Sequence, residues 1–271
     1  MQKYIIVTGG ASGLGLALAK RWAKAGAFVC IADINDEAAN IALSELQTIN
    51  NECFYQHCDV TKLKDIQQLK QTALDKWPQV DMIVNNAGVA TADRIEDESI
   101  SQWQWVLEIN LLAAVKVSQV FTPLFKLQQQ GYFLNVASQA GITPIPYMAS
   151  YNASKAAMVS LSETLRLELA DDNICVSVLC PGFFKTNLGD SLKTKLTNMK
   201  SMLGRVFESA EITSEQVAEQ AYQAVTKRKF MILTHSEGKK VFRFKQWLPI
   251  HWYLAMVLKQ TAKLRARVGK E

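Results

Sequence analysis

Tyr151 and Lys155 make the only Tyr-x-x-x-Lys pair in this 271-residue chain. Residues four apart share one face of a helix, so the pair sets an ammonium beside a phenol. A free tyrosine titrates near pH 10, which leaves roughly one in a thousand ionised at neutrality, and a nearby cation favours the phenolate and lowers that value. The pair is then a workable proton donor or acceptor at the oxygen of an alcohol or a carbonyl. Alone it would read more readily as a surface tyrosine beside a solvated lysine, but it has company. Ser138, in Asn135-Val136-Ala137-Ser138-Gln139-Ala140-Gly141, offers a hydroxyl that can hold the oxygen while Tyr151 moves the proton. Asn110 is a polar residue in the apolar helical stretch Ile109-Asn110-Leu111-Leu112. A buried amide must be hydrogen-bonded, so Asn110 either anchors a water leading to Lys155 or is purely structural.

A second group of residues suits a dinucleotide. Thr8-Gly9-Gly10-Ala11-Ser12-Gly13-Leu14-Gly15 joins a strand pattern to a helix pattern. Glycines at Gly9, Gly13 and Gly15 let backbone N–H groups approach a pyrophosphate, whose charge the helix N-terminus favours. The spacing is G-x-x-x-G-x-G rather than G-x-G-x-x-G, and an ordinary tight strand–helix turn has the same composition. Asp33 lies eighteen residues beyond Gly15. A carboxylate there accepts hydrogen bonds from the adenosine ribose and repels a 2′-phosphate. With Ile34 and Asn35 following, and no Arg or Lys in the turn, the expectation is NAD rather than NADP. Asp59 either meets the adenine amino group or caps the helix that starts near Thr61.

Positioning these residues takes a sheet. Short, continuously apolar runs alternate with longer helical patterns: strands over 3–8, 28–33, 53–58, 82–85, 132–137, 174–179 and 230–233, and helices over 14–25, 37–49, 62–76, 101–129 and 150–171. Continuous rather than alternating apolar strands suit a parallel sheet covered on both faces, and repeated strand–helix order implies right-handed crossovers. The fold class expected is α/β, a doubly wound seven-stranded parallel sheet. Ligands in such sheets bind at the carboxyl ends of the strands. There the singled-out residues fall: Gly9, Asp33, Asp59, Asn85, Ser138 and Pro181 each follow a strand.

The bulk properties exclude other classes. A 49% hydrophobic content supports a packed core, and the net charge of +5 comes with no nucleic-acid motif. Five cysteines without a C-x-x-C pair and three scattered histidines argue against a metal. The N-terminus enters a strand at once, so no signal peptide is expected, and no uninterrupted apolar stretch reaches the length of a membrane span. The expected place is the cytoplasm.

Taken together, the motifs Thr8–Gly15, Asp59-Val60, Asn85-Asn86-Ala87-Gly88, Asn110, Ser138, Tyr151-Asn152-Ala153-Ser154-Lys155 and Pro181-Gly182 with Thr186 resemble the short-chain dehydrogenase/reductase family over roughly residues 1 to 235. The resemblance implies a Rossmann-type fold and a homodimer or homotetramer built on the helices around 101–129 and 150–171. It implies that Tyr151 is the general acid/base, that Lys155 lowers its pKa and binds the nicotinamide ribose, that Ser138 orients the substrate oxygen and that Asn110 supports the proton relay. The Asn85–Gly88 turn, with Asn86, Ala87 and Gly88, would stabilise the sheet beside the cofactor, and Pro181, Gly182 and Thr186 would meet the nicotinamide. The expected reaction is reversible oxidation of an alcohol to a ketone or aldehyde. The alternative is a non-catalytic NAD-binding regulator or a membrane-surface protein on the same scaffold.

Two segments bear on the substrate. Residues 188–209 carry Leu188, Leu192, Leu196, Met199, Met202, Leu203, Val206 and Phe207 at helical spacing, which reads either as an apolar lid, suggesting an apolar alcohol or ketone, or as core packing. The catalytic domain is expected to end near residue 236, leaving 237–271 as a basic, aromatic-rich helical extension. From Lys227 to Glu271 there are twelve Lys and Arg against two Glu. Residues 241–267 therefore read as an amphipathic helix that packs on its own domain, packs on a partner subunit, or lies at an anionic membrane surface.

Overall fold

A computed structural model describes residues 2–184, 192–196, 199, 201, 204–205 and 209–268. Its centre is one seven-stranded sheet, every pairing parallel: β1 (Tyr4–Thr8), β2 (Phe28–Asp33), β3 (Phe54–His57), β4 (Met82–Asn85), β5 (Gly131–Val136), β6 (Ile174–Cys180) and β7 (Met231–Leu233). The spatial order β3-β2-β1-β4-β5-β6-β7 reverses between β1 and β4, which opens a crevice at their carboxyl ends.

Alternate residues of each strand serve opposite cores. Ile5 and Val7 face α1 (Gly13–Lys24), α2 (Asp36–Gln47) and α8 (Ser214–Thr226), with Leu18 and Trp22 among their neighbours. Ile6 and Cys30 face α3 (Leu63–Lys76) and α5 (Ala113–Gln128), against Leu69, Phe121 and Phe125. Burial on both faces is why these strands read as continuous apolar runs. All five cysteines are buried free thiols.

The helix expected over 101–129 is α4 (Ile100–Leu107) and α5 joined by a π turn, Glu108–Leu112, centred on Asn110. The 29 residues from Ile100 to Gln128 are long and apolar enough in composition to cross a membrane, a length that the reading of uninterrupted runs missed. Their inner side, with Val106, Val117, Phe121 and Phe125, is buried in the protein, which accounts for that composition. α6 (Gln139–Ile142) and α7 (Ala149–Glu168) follow β5.

The C-terminal region corrects a second expectation. It is not one helix but three: α9 (Ser236–Trp247), α10 (Ile250–Gln260) and α11 (Ala262–Val268). Pro249 forbids continuation from α9 and stands as the N-cap of α10. The inner side packs on the rest of the protein through Phe242, Tyr253 and Val268, with Tyr253 and Val268 each only 2% exposed.

Candidate active site

At the reversal point β1 and β4 are neighbours in the ladder, and side chains tie their ends together. The Thr8 hydroxyl accepts from the backbone N–H groups of Asn86 and Ala87, while the Asn86 side chain donates to the carbonyls of Thr8 and Gly9, each at 3.0 Å. A β-carbon on Gly15 would stand 2.0 Å from the Gly9 carbonyl oxygen, so only glycine closes this turn. Ser12 is the N-cap of α1 yet makes no capping bond with its side chain, and no acidic residue stands in the first turn. The partial positive charge of that helix end thus has no side-chain cap of its own and faces the crevice. Gly9, Ser12, Gly13, Leu14 and Gly15 all line it.

The crevice measures about 480 Å³. Asp33, Asp59 and Val60 line it at the ends of β2 and β3. Asp33 accepts from the backbone of Ala11 and Asn35, both at 3.0 Å, which fixes its carboxylate at the mouth of the glycine turn. Asp59 accepts from the Thr61 N–H and hydroxyl and pairs with Lys62 at 3.2 Å; these bonds hold its carboxyl below the usual range against the opposing effect of partial burial. It therefore braces the turn before α3, whose N-cap is Lys62, and lines the crevice as well. Among the described residues, the lining includes no Lys or Arg apart from Lys155.

Tyr151 and Lys155 come from one face of α7 and line the opposite reach of the crevice with Ser138, Ala87, Gly88, Pro181 and Gly182. Both are nearly inaccessible, Tyr151 at 7% and Lys155 at 5%. A β-carbon on Gly141 would lie 2.6 Å from the Lys155 carbonyl, so this glycine lets α6, and with it Ser138, sit against α7. Lys155 Nζ donates to the Val136 carbonyl at 3.0 Å and stands 5.9 Å from the centre of the Tyr151 ring. Burial pushes the ammonium down to about 8. Burial also pushes the Tyr151 phenol up, with the Ser138 hydroxyl pulling it back. The expectation that the ammonium lowers the phenol is not met in this arrangement. Lys155 is turned onto a backbone carbonyl, and desolvation of the phenolate outweighs the rest.

Asn110 is 1% exposed and sits behind the crevice wall. Its side chain accepts from the Val89 N–H at 2.8 Å and donates to the Val89 carbonyl and to Ser154 Oγ, both at 3.0 Å. Both of its N–H groups are committed to bracing the strand-four loop against α7. Thr186 lies outside the described residues, as do Leu188, Met202, Leu203, Val206 and Phe207.

Several residues that spacing did not single out shape the far end. Asp93, 1% exposed, accepts from the Lys195 N–H at 2.6 Å, from Gln102 at 3.0 Å and from the Thr194 hydroxyl at 3.4 Å. Lys193 forms a single β-bridge with Thr91 and lies over the Trp105 ring, 3.6 Å from its centre. His235 Nδ1 accepts from the Gly182 N–H at 3.0 Å, and its Nε2 lies 2.8 Å from the Phe183 carbonyl. Arg94 donates to the carbonyl of Val268, and Val268 and Leu264 join Tyr151, Met148, Leu192 and Leu196 in one apolar cluster. The last described helix, α11, thus packs on the Tyr151 side. No local pattern signals such ties, since each joins segments far apart in sequence.

Comparison with known proteins agrees with this geometry. The family model described as short chain dehydrogenase matches residues 3–197. A CLA biosynthesis dehydrogenase/reductase of Lactiplantibacillus plantarum is 30% identical over 254 residues, covering 87% of this chain and 88% of that one. A short chain dehydrogenase/reductase from Burkholderia phymatum, solved in complex with NAD, superposes with a TM-score of 0.86 at 30% identity, over 90% of this chain and 93% of the other. An alcohol dehydrogenase from Thermococcus sibiricus, complexed with 5-hydroxy-NADP, gives a TM-score of 0.74 at 25% identity over 86% of this chain and 96% of that one.

Proposed function

The chain belongs to the short-chain dehydrogenase/reductase family, and from that premise we propose that it uses NAD(H) to interconvert an apolar alcohol and its ketone or aldehyde, with Tyr151 as the proton-transfer group. One observation carries the reading: a buried Tyr–Lys pair from one helix face opens into the same crevice as the glycine turn, with Ser138 beside it. The residues present fit a dinucleotide. The α1 N-terminus, without a side-chain cap, would take the pyrophosphate, and Asp33 would take the adenosine ribose hydroxyls. The nicotinamide, when bound, supplies the hydride acceptor or donor.

Ser138 holds the substrate oxygen by a hydrogen bond. Tyr151 then gives its proton to a carbonyl oxygen in the reductive direction, or takes the alcohol's proton as the phenolate in the oxidative one. A phenol kept neutral by burial is ready as an acid at neutral pH, so reduction needs no prior deprotonation. Lys155 keeps its charge on the helix face it shares with the phenol and would bind the ribose of the nicotinamide half. Asn110 acts through other residues, keeping α7 in register with the Val89 loop.

Asp33, with no Lys or Arg but Lys155 among the described lining residues, supports NAD over NADP. Apolar residues that line the crevice with Tyr151, namely Met148, Ile145, Leu192 and Phe184, support an apolar substrate. Leu127 and Leu167 stand exposed on the two long helices and support a homo-oligomer formed there. Tyr151→Phe tests the reading. Turnover should fall by about 10²–10⁴-fold while NADH binding, followed by fluorescence, is kept. A variant that still turns over would sink it. Equal kcat/KM with NADP would remove the cofactor preference alone.

A further inference from the structure

The inner side of the C-terminal helices is accounted for by packing; the outer side is not. On α9, Lys240, Arg243, Phe244 and Trp247 recur at i, i+3, i+4 and i+7, which places two cations and two aromatic rings on one face. All four are exposed, Trp247 to 85%. On α10, Ile250, Leu254 and Leu258 recur at i, i+4 and i+8, each at least half exposed, and Trp252, on a neighbouring part of the helix surface, is 63% exposed. α11 adds exposed Lys263, Arg265 and Arg267. From residue 236 to 268 the chain has eight Lys and Arg and one carboxylate, Glu237. The ion pairs among the described residues all lie elsewhere.

We propose that this face docks on an anionic phospholipid bilayer, with Trp247 and Trp252 seated among the headgroups and the surrounding cations against lipid phosphate. Charge decides the occupant. A second copy meeting the same face by twofold symmetry would bring these cations against themselves, with no acidic partner to relieve them. A lipid surface of opposite sign relieves all of them at once, and tryptophan belongs at that depth because its ring is apolar and its N–H is not. No helix here is buried on insertion, since α10 has only eleven residues; the helices lie in the interface plane. The docking goes beyond the catalytic reading and would stand without it. It also has a consequence for it, because Val268, at the end of the same three helices, belongs to the apolar cluster that includes Tyr151. An apolar substrate dissolved in the bilayer would then meet the crevice from its Tyr151 side.

The test uses the full chain and needs neither substrate nor cofactor. Vesicles of phosphatidylcholine alone and of phosphatidylcholine mixed with phosphatidylglycerol are floated with the protein. The proposal expects flotation with the mixed vesicles only, weakened by raised salt. Lys240→Gln with Arg243→Gln should weaken the apparent affinity roughly thirtyfold, from about a kilocalorie per mole for each cation near the surface. Trp247→Ser with Trp252→Ser should abolish it, while turnover of a water-soluble short alcohol is unchanged in both variants. Quenching of tryptophan fluorescence in the unaltered chain by brominated lipid reads the same event without relying on any variant. Flotation indifferent to phosphatidylglycerol, binding unaffected by the substitutions, or absence of quenching would each overturn it. So would a solution species that falls to half its mass on loss of the two tryptophans, because the face would then belong to a second copy.

Discussion

The two ends of the crevice are held by different means. At the glycine-turn end β1 and β4 already share a backbone ladder, and Asn86 and Thr8 add four side-chain bonds across its edge. At the Tyr151 end the segments around residues 93, 195 and 268 share, among the described residues, no ladder beyond the single Thr91–Lys193 bridge. They are held by individual ties, Asp93 to Lys195 and Arg94 to Val268. A ladder opens cooperatively or not at all, whereas single ties open one by one at low cost. The physical lesson is a division of labour. On the function proposed above, the glycine-turn end would be the more rigid and the Tyr151 end the more yielding, so damage should appear as lost cofactor affinity in one and as altered KM in the other.

The largest effect that would break this division is expected from Gly15→Ala. The added carbon cannot clear the Gly9 carbonyl, and NADH affinity measured by fluorescence titration should fall at least about a hundredfold, or ~3 kcal/mol. Asp93→Ala should act at the other end. It strips three donors of their acceptor, so the melting temperature should drop, with a stability loss of about 2 kcal/mol. Steady-state kinetics should show KM for the alcohol rising about tenfold while the NADH dissociation constant stays put. If both constants moved together, the two ends would not be separable.

The smallest effect sharpens the picture at their junction. His235 accepts from the Gly182 N–H, which requires an unprotonated Nδ1, and burial pushes its pKa down from 6.5. With the folded value below the unfolded one, the contribution of the neutral ring is complete above about pH 6.5 and is lost as the pH falls through the lowered value. Thermal melts of the unaltered protein should therefore show an acid limb below pH 6.5 that His235→Phe lacks in part. Identical acid limbs would show that the imidazole is not what holds the Gly182 loop.

The same division explains what the amino-acid order disclosed. The strands were legible because burial on both faces leaves unbroken apolar runs, and Gly9, Asp33, Ser138 and Pro181 were legible as their ends. Tyr151 and Lys155 were legible because four-residue spacing has one geometric meaning on a helix. Asp93 and His235 were not, since their partners lie 102 and 53 residues away and no periodicity links them. The π turn at Asn110 was hidden because its residues continue the apolar pattern of the helices on either side. The breaks within 241–267 were hidden because the basic and aromatic residues run through Pro249 and on past Thr261, and the second break has no proline or glycine to mark it.

The central claim is that the proton passes through a phenol kept neutral by its surroundings at ordinary pH. The dependence of kcat/KM on pH, taken in both directions with NAD and NADH, reads this most directly. Because burial raises the Tyr151 value above 10, oxidation should climb about tenfold per pH unit through the neutral and alkaline range, while reduction stays level there and declines only at high pH. Tyr151→Phe should remove the climb along with the rate. An oxidation profile flat from pH 6 to 10 in the unaltered enzyme, at a pH-independent rate of hydride transfer, would contradict the account.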